Sequence, residues 1–185
     1  MFLKNFRLKI AYILLRQKST RVKRQKKLFD FASAKFVGVL CSPQDELNTL
    51  LLKEFLYFLS KKGIQYSVFG YFDQKNIPEN FLYWKGTDFI TRNDVNFFFI
   101  PKNQIVDKFI NEPFDMLINC CIDHYFPVEY IAQLSKASCK VGIARDDKYT
   151  YDLMIDIQKN RKIEYFLNNL EKYLSNLKNP QLKYI

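Results

Sequence analysis

The chain has 185 residues, enough for one hydrophobic core with an appendage and too few for two ordinary domains. Its 48% hydrophobic and 26% charged residues exclude a wholly disordered chain, and the apolar run Ile10 to Leu15 falls far short of the ~20 residues of a membrane-spanning helix. The formal net charge of +10 is local: residues 1–35 hold eleven Lys and Arg against the single acid Asp30, while the other 150 residues carry 18 basic and 18 acidic side chains. Such asymmetry points to an anionic partner for a basic arm on a neutral body.

At the N-terminal end, Phe2, Leu3, Phe6, Ile10, Ile13 and Leu14 fall on one side of a helix at 3.6-residue spacing, with Leu8 and Leu15 off the pattern. This stripe predicts docking on the body, on a partner or in a membrane interface. From Arg16 to Lys27 the sequence RQKSTRVKRQKK carries seven cations and no acid, distributed all round a helix, so this part is expected to be solvated or bound to an anion. The residues expected to hold that anionic partner are Arg16, Lys18, Arg21, Lys23, Arg24, Lys26 and Lys27, and replacing Arg21, Lys23, Arg24, Lys26 and Lys27 by Gln is expected to leave folding intact. The run before them is too short for a secretory signal core and no small-residue cleavage site follows it. Cys41, Cys120, Cys121 and Cys139 read as reduced, buried, small hydrophobes. A cytoplasmic setting is the expectation.

Beyond the arm, apolar runs and helical stripes alternate. AKFVGVLCS predicts a strand buried on both sides. A helix follows, with Ser42 as N-cap, Pro43 at its first position, Asp45 completing a capping box, Leu47, Leu50, Leu51, Phe55 and Leu59 or Phe58 inward, and Gly63 ending it. IQYSVFGYF is the second strand. Residues 73–94 read as an excursion without regular structure, and DVNFFFIP as the third strand, stopped by Pro101. Then come a short helix from Asn103, a strand FDMLINCCI, a helix from Phe126 to Ala137, a strand CKVGIA and a sixth or edge strand YDLMIDI. A closing helix turns Ile163, Phe166, Leu170, Tyr173, Leu174 and Leu177 inward. The alternation predicts an α/β fold: a three-layer Rossmann-like sandwich with a largely parallel sheet of five or six strands, preceded by a basic N-terminal helix. Residues 1–33 form the arm and 34–185 a single domain in this reading.

The phrases SAKFVGVL, INEPFDMLIN, FPVEYIAQLSKASCKVG and YDLMIDI resemble a family of uncharacterised bacterial proteins, a domain of unknown function. The resemblance runs over nearly the whole chain, basic extension included, and implies an intracellular bacterial α/β protein without supplying an activity. The run CCIDHYFP departs from the family pattern.

Open α/β sheets bind ligands at the carboxyl ends of their strands, which makes Ser42, Asp73, Asn119, Asp123 and Arg145 the candidate pocket residues. With glycine only at 38, 63, 70, 86 and 142, neither a dinucleotide fingerprint nor a P-loop can be written, and Asp45 and Glu46 would repel a phosphate at the Ser42 helix. Adjacent Cys120 and Cys121 point to opposite faces of a strand, so a metal set with Asp123 and His124 is not expected. Asp152 and Asp156 read as solvated strand ends, and Trp84 with Tyr83 as a satellite of the core. No catalytic residue, cofactor or metal is assigned. The functional expectation is a non-enzymatic protein that binds RNA or the ribosome through its arm. The alternatives are a peripheral protein on an anionic membrane surface and an α/β enzyme using the pocket.

Overall fold

The computed structural model describes residues 2–43, 45–81, 84, 86–145 and 150–176. Tyr83, Leu177 and the side chain of Phe2 lie outside the described residues. Six strands, β1 (Phe36–Cys41), β2 (Gln65–Phe72), β3 (Thr87–Thr91), β4 (Met116–Asn119), β5 (Cys139–Ile143) and β6 (Leu153–Ile155), pair in parallel in the order β3-β2-β1-β4-β5-β6. The order reverses between β1 and β4, the switch point of a doubly wound sheet. The apolar runs of β1 and β4 form the two middle strands, where both faces are covered. Helices α2 (Glu46–Lys61) and α5 (Ile163–Ser175) pack on one face, while α1 (Phe2–Ser19), α3 (Gln104–Asn111) and α4 (Phe126–Leu134) belong to the core on the other. The three-layer α/β sandwich with an N-terminal helix is the architecture that the alternation of elements predicts.

Several local expectations are corrected. The third strand lies inside the supposed excursion, at Thr87–Thr91, and not in DVNFFFIP. There the Asn96 side-chain oxygen accepts from the Phe98 and Ile100 amides at 2.8 and 3.1 Å, folding the aromatic run into a turn with Phe99 at φ 59°. The N-cap of α2 is Asp45 rather than Ser42: its carboxylate accepts from the Asn48 amide at 2.7 Å, while the Ser42 hydroxyl is drawn to Tyr125. Helix α2 buries Leu52, Phe55, Leu56 and Leu59 and leaves Leu47 and Leu50 exposed. Gly63 ends it in the left-handed conformation, as expected. On α5, Leu167 is buried and Tyr173 is exposed.

The arm differs most from its sequence reading. Helix α1 ends at Ser19, and its inner face is Ala11 and Leu15, both fully buried, with Leu8, Tyr12 and Leu14 beside them. Of the stripe expected to dock on the body, on a partner or in a membrane interface, Leu3, Phe6 and Ile13 face solvent and not the body. Ala11 and Leu15 join the core that holds the buried residues of α4, so the side of α1 that carries them is the buried one. Residues 20–35 then form an irregular strap along the amino ends of the strands. Val22 packs on the α1 side of the sheet and Phe29 and Phe31 on the other, so the strap crosses from one core to the other.

Hydrogen bonds fasten the strap to the strand starts and to α5. The Lys27 amide donates to Ser138 O at 3.2 Å, the Phe31 amide to Leu174 O at 3.3 Å, and the Lys35 and Phe36 amides to Asp115 Oδ2 at 2.8 and 3.0 Å. At its centre Arg24 makes a two-pronged pair with Asp152, Nη1 to Oδ2 at 2.6 Å and Nη2 to Oδ1 at 2.7 Å, with side chains only 10% and 14% exposed. Nη1 also donates to the carbonyls of Ala137 and Ser138. Asp152 is thus an anchor, not the solvated strand end that its position in YDLMIDI suggests, and Asp156 alone of the two is exposed. Burial pushes the Asp152 carboxyl up, but Arg24 and the Lys140 amide outweigh it and hold the group below its usual range. Removing one partner strands the other charge in a dry site, so Arg24→Gln or Asp152→Asn is expected to cost about 3 kcal/mol in urea denaturation, whereas Lys23→Gln should change stability by less than about 0.5 kcal/mol.

Beneath this pair lies Lys140 on β5, 2% exposed, with Nζ donating to Gln133 O at 2.8 Å. Burial, joined by the Arg24 charge and opposed by Asp152 and Glu129, brings its pKa down to about 7. An unfolded chain keeps that proton up to its ordinary value, so between about pH 7 and 10.5 the unfolded state binds more protons and stability rises with pH. Relative to Lys140→Met, the wild-type chain should gain about 2 kcal/mol between pH 7 and 9 in denaturation experiments at matched ionic strength.

Candidate functional site

Two surfaces with opposite electrostatic character lie at opposite edges of the sheet. At the amino edge, α1 and the strap display Arg16, Lys18, Arg21, Lys23, Lys26 and Lys27, all exposed. Among the described residues, the strap's ion pairs are Arg24–Asp152 and a longer, exposed contact of Lys26 to the same carboxylate at 3.5 Å. Lys18 Nζ donates to the Tyr130 hydroxyl at 2.8 Å and keeps its charge at the surface. Arg24 is the exception among the seven predicted cations: it is committed to Asp152, and the Gln substitution expected to spare the fold removes an internal support at that position.

At the carboxyl edge the switch point between β1 and β4 opens into two adjoining concavities. One, of about 410 Å³, is lined by Ser42, Asp45, Asn48, Cys120, Asp123 and Arg161 among others; the second, of about 460 Å³, by Ser42, Glu46, Asp73, Asn80, Phe81 and Tyr125. These sizes suit a small molecule. Three of the five predicted pocket residues, Ser42, Asp73 and Asp123, do line the crevice. The other two brace it. Asn119 is buried, donating to the Tyr151 hydroxyl at 2.7 Å and accepting from the Cys121 amide at 3.0 Å. Arg145 Nη2 donates to the carbonyls of Cys121, Ile122 and Asp123 at 2.6, 2.9 and 3.2 Å, pinning the loop after β4. Asp73 accepts both Arg92 nitrogens at 2.7 and 3.0 Å; that guanidinium, against opposing burial, holds its carboxyl below the usual range. Asp45, Glu46, Asp73, Asp123 and Glu164 line the crevice against Arg161 and Lys162, a net negative lining that disfavours phosphate.

Cys120 joins the core beneath α2 and Cys121 the opposite core, as strand alternation requires. Among the described residues no three His, Cys, Asp or Glu side chains are grouped to hold a metal ion. His124 Nε2 lies 3.2 Å from the Tyr12 hydroxyl, with the two rings stacked, which seats α1 on the loop before α4. Trp84 packs on Phe81 and Phe89 as a satellite of the core.

Sequence reasoning missed a buried polar network centred on Glu129 in α4, 3% exposed. Its Oε1 accepts from Thr150 Oγ1 at 2.5 Å and from Gln133 Nε2 at 3.2 Å, and its Oε2 from the Tyr151 hydroxyl at 3.2 Å. Gly142 makes room for the Tyr151 ring, since a Cβ there would lie 2.6 Å from it. The signal was present in FPVEYIAQL, a helix whose one amide side chain is Gln133 and whose remaining residues are buried, which leaves its one acid no route to solvent. Arg161 of the crevice had no such signal, because it reaches β1 only through the packing of α5.

The fold and its two edges define an α/β protein with a doubly wound parallel sheet and a fixed cationic strap. The family of unknown function DUF6913 matches residues 6–177, and the chain belongs to it. No curated protein matches the chain. It is similar to the crystal structure of an exopolyphosphatase-related protein from Bacteroides fragilis, with a TM-score of 0.49 and 17% identity over 78% of this chain; the chain spans 41% of that protein's length.

Burial is the leading cause that pushes all four thiols up, Cys139 to about 11. The thiolate is the reactive form, so none should be alkylated by iodoacetamide in the native protein at neutral pH, and all four should be modified once it is unfolded. Intact-mass measurement checks this; prompt native labelling of Cys120 would mark it as a reactive group at the crevice.

Proposed function

We propose that this protein binds a phosphate-bearing macromolecule, RNA alone or within the ribosome, on the cationic strap. The observation that carries the reading is the exposure of Arg16, Lys18, Arg21, Lys23, Lys26 and Lys27 on a backbone tied down by Arg24. Arg16, Lys18, Arg21, Lys23 and Lys27 make no ion pair among the described residues, so their charge is left for an external anion. Phosphates that replace their counterions release those ions to solution, a favourable process at low to moderate salt. Because the strap is already ordered, little conformational entropy opposes the contact. Backbone contacts of this kind position a nucleic acid and carry no sequence preference. The acidic crevice lies at the far edge of the sheet and does not compete for the same anion.

Fluorescence anisotropy with a structured RNA, titrated from about 50 to 200 mM salt, tests the reading. The triple variant Arg21→Gln, Lys23→Gln, Lys27→Gln should keep the wild-type denaturation midpoint, lose at least about tenfold in affinity and flatten the log–log salt slope by about 2. An unchanged slope would place the contact elsewhere.

A further inference from the structure

Helix α1 has two apolar faces. One is spent on α4 through Ala11 and Leu15; the other presents Leu3, Phe6, Ile10 and Ile13 at spacings of three, four and three residues. Leu3 is 60%, Phe6 53% and Ile13 58% exposed, and Ile10 is half-buried. At 3.6 residues per turn this row covers an arc of about 80°, the narrow seam of helix-to-helix packing rather than the broad face of a helix lying in a lipid interface. Lys9 and Arg16 border it on one side. On the other border Arg7 donates to Phe97 O and lies 4.2 and 4.3 Å from the ring centres of Phe97 and Phe99, and Phe97 is itself 57% exposed.

We infer that this seam docks an amphipathic helix of another protein, one that carries Leu or Ile along its own seam and Glu or Asp on its flanks. Charge selects that occupant. Helix α1 holds five cations and no carboxylate, so residues flanking the seam pair with acids and repel bases. A second copy of α1 is disfavoured for the same reason, because an antiparallel pair would set Lys9 and Arg16 against each other. An RNA backbone gains nothing from exposed Phe and Ile. Preorganisation favours the contact: Leu15, Ala11, the Arg7–Phe97 bond and the Lys18–Tyr130 bond hold the helix in place before any partner arrives. Arg16 borders both this seam and the strap, whose other cations Arg21, Lys23, Lys26 and Lys27 lie outside α1, and the inference does not depend on anion binding there.

The test uses the full chain and two labelled designed peptides with Leu at the seam positions, one flanked by Glu and one by Lys, read by anisotropy at about 0.15 M salt. The Glu peptide should bind at least about tenfold more tightly than the Lys peptide, and Phe6→Asp or Ile10→Asp should abolish most of that binding while circular dichroism stays unchanged. In Lys9→Glu, Arg16→Glu the preference should invert, an outcome that a purely structural role of these residues would not produce. Equal affinity for the two peptides, no inversion, or no binding of either overturns the inference. So does phosphatidylserine-vesicle binding lost in Ile10→Asp without peptide binding, or a dimer in sedimentation that Ile10→Asp dissociates.

Discussion

Everything at the amino edge of this protein depends on the pair between Arg24 and Asp152. A carboxylate buried at the start of β6 would be costly alone, and a guanidinium reaching under the sheet would be costly too; together, with the Lys140 amide and two carbonyls completing the geometry, each makes the other's burial tolerable. The result is positional. A segment whose composition resembles a disordered tail follows one path from the core beneath α4 to the core beneath α5, and the cations on either side of Arg24 inherit that path.

The parallel sheet explains why positive charge collects there. Its strands begin at this edge with backbone amides that have no neighbour to bond, and Asp115 and Asp152 accept them. Two acids are consumed inside the structure in this way, while the strap's Arg21, Lys23, Lys26 and Lys27 remain outside and only Arg24 joins them. The opposite edge has the reverse balance: Asp45 caps α2, Asp73 ties β2 to Arg92, and both still line an acidic crevice. One topology therefore separates the charges of a chain whose body is neutral.

Buried ionisable groups link the edges. Glu129 and Lys140 sit in the same region of the sandwich, the first satisfied by Thr150, Tyr151 and Gln133, the second by a Gln133 carbonyl. Gln133 touches both, so α4 is registered on β5 by polar contacts as well as by apolar packing. Polar contacts of this type have one satisfied arrangement, whereas apolar side chains tolerate many. The same helix receives α1, and so the placement of the outward seam rests on this internal registration.

The parallel α/β class was legible in the sequence because continuous apolar runs and helical stripes alternate along it, and that pattern depends on nearest neighbours and local period alone. The basic arm, the opposite facing of Cys120 and Cys121 and the end of α2 at Gly63 were legible for the same reason. Tertiary structure alone decided which side of α1 is buried, since both of its sides are apolar and the choice belongs to the fit of Ala11 and Leu15 against α4. It alone turned DVNFFFIP into a turn and placed β3 earlier, and it alone paired Arg24 with an acid 128 positions away. A side chain's partner across such a distance is set by where whole elements pack, and no local pattern of residues encodes it.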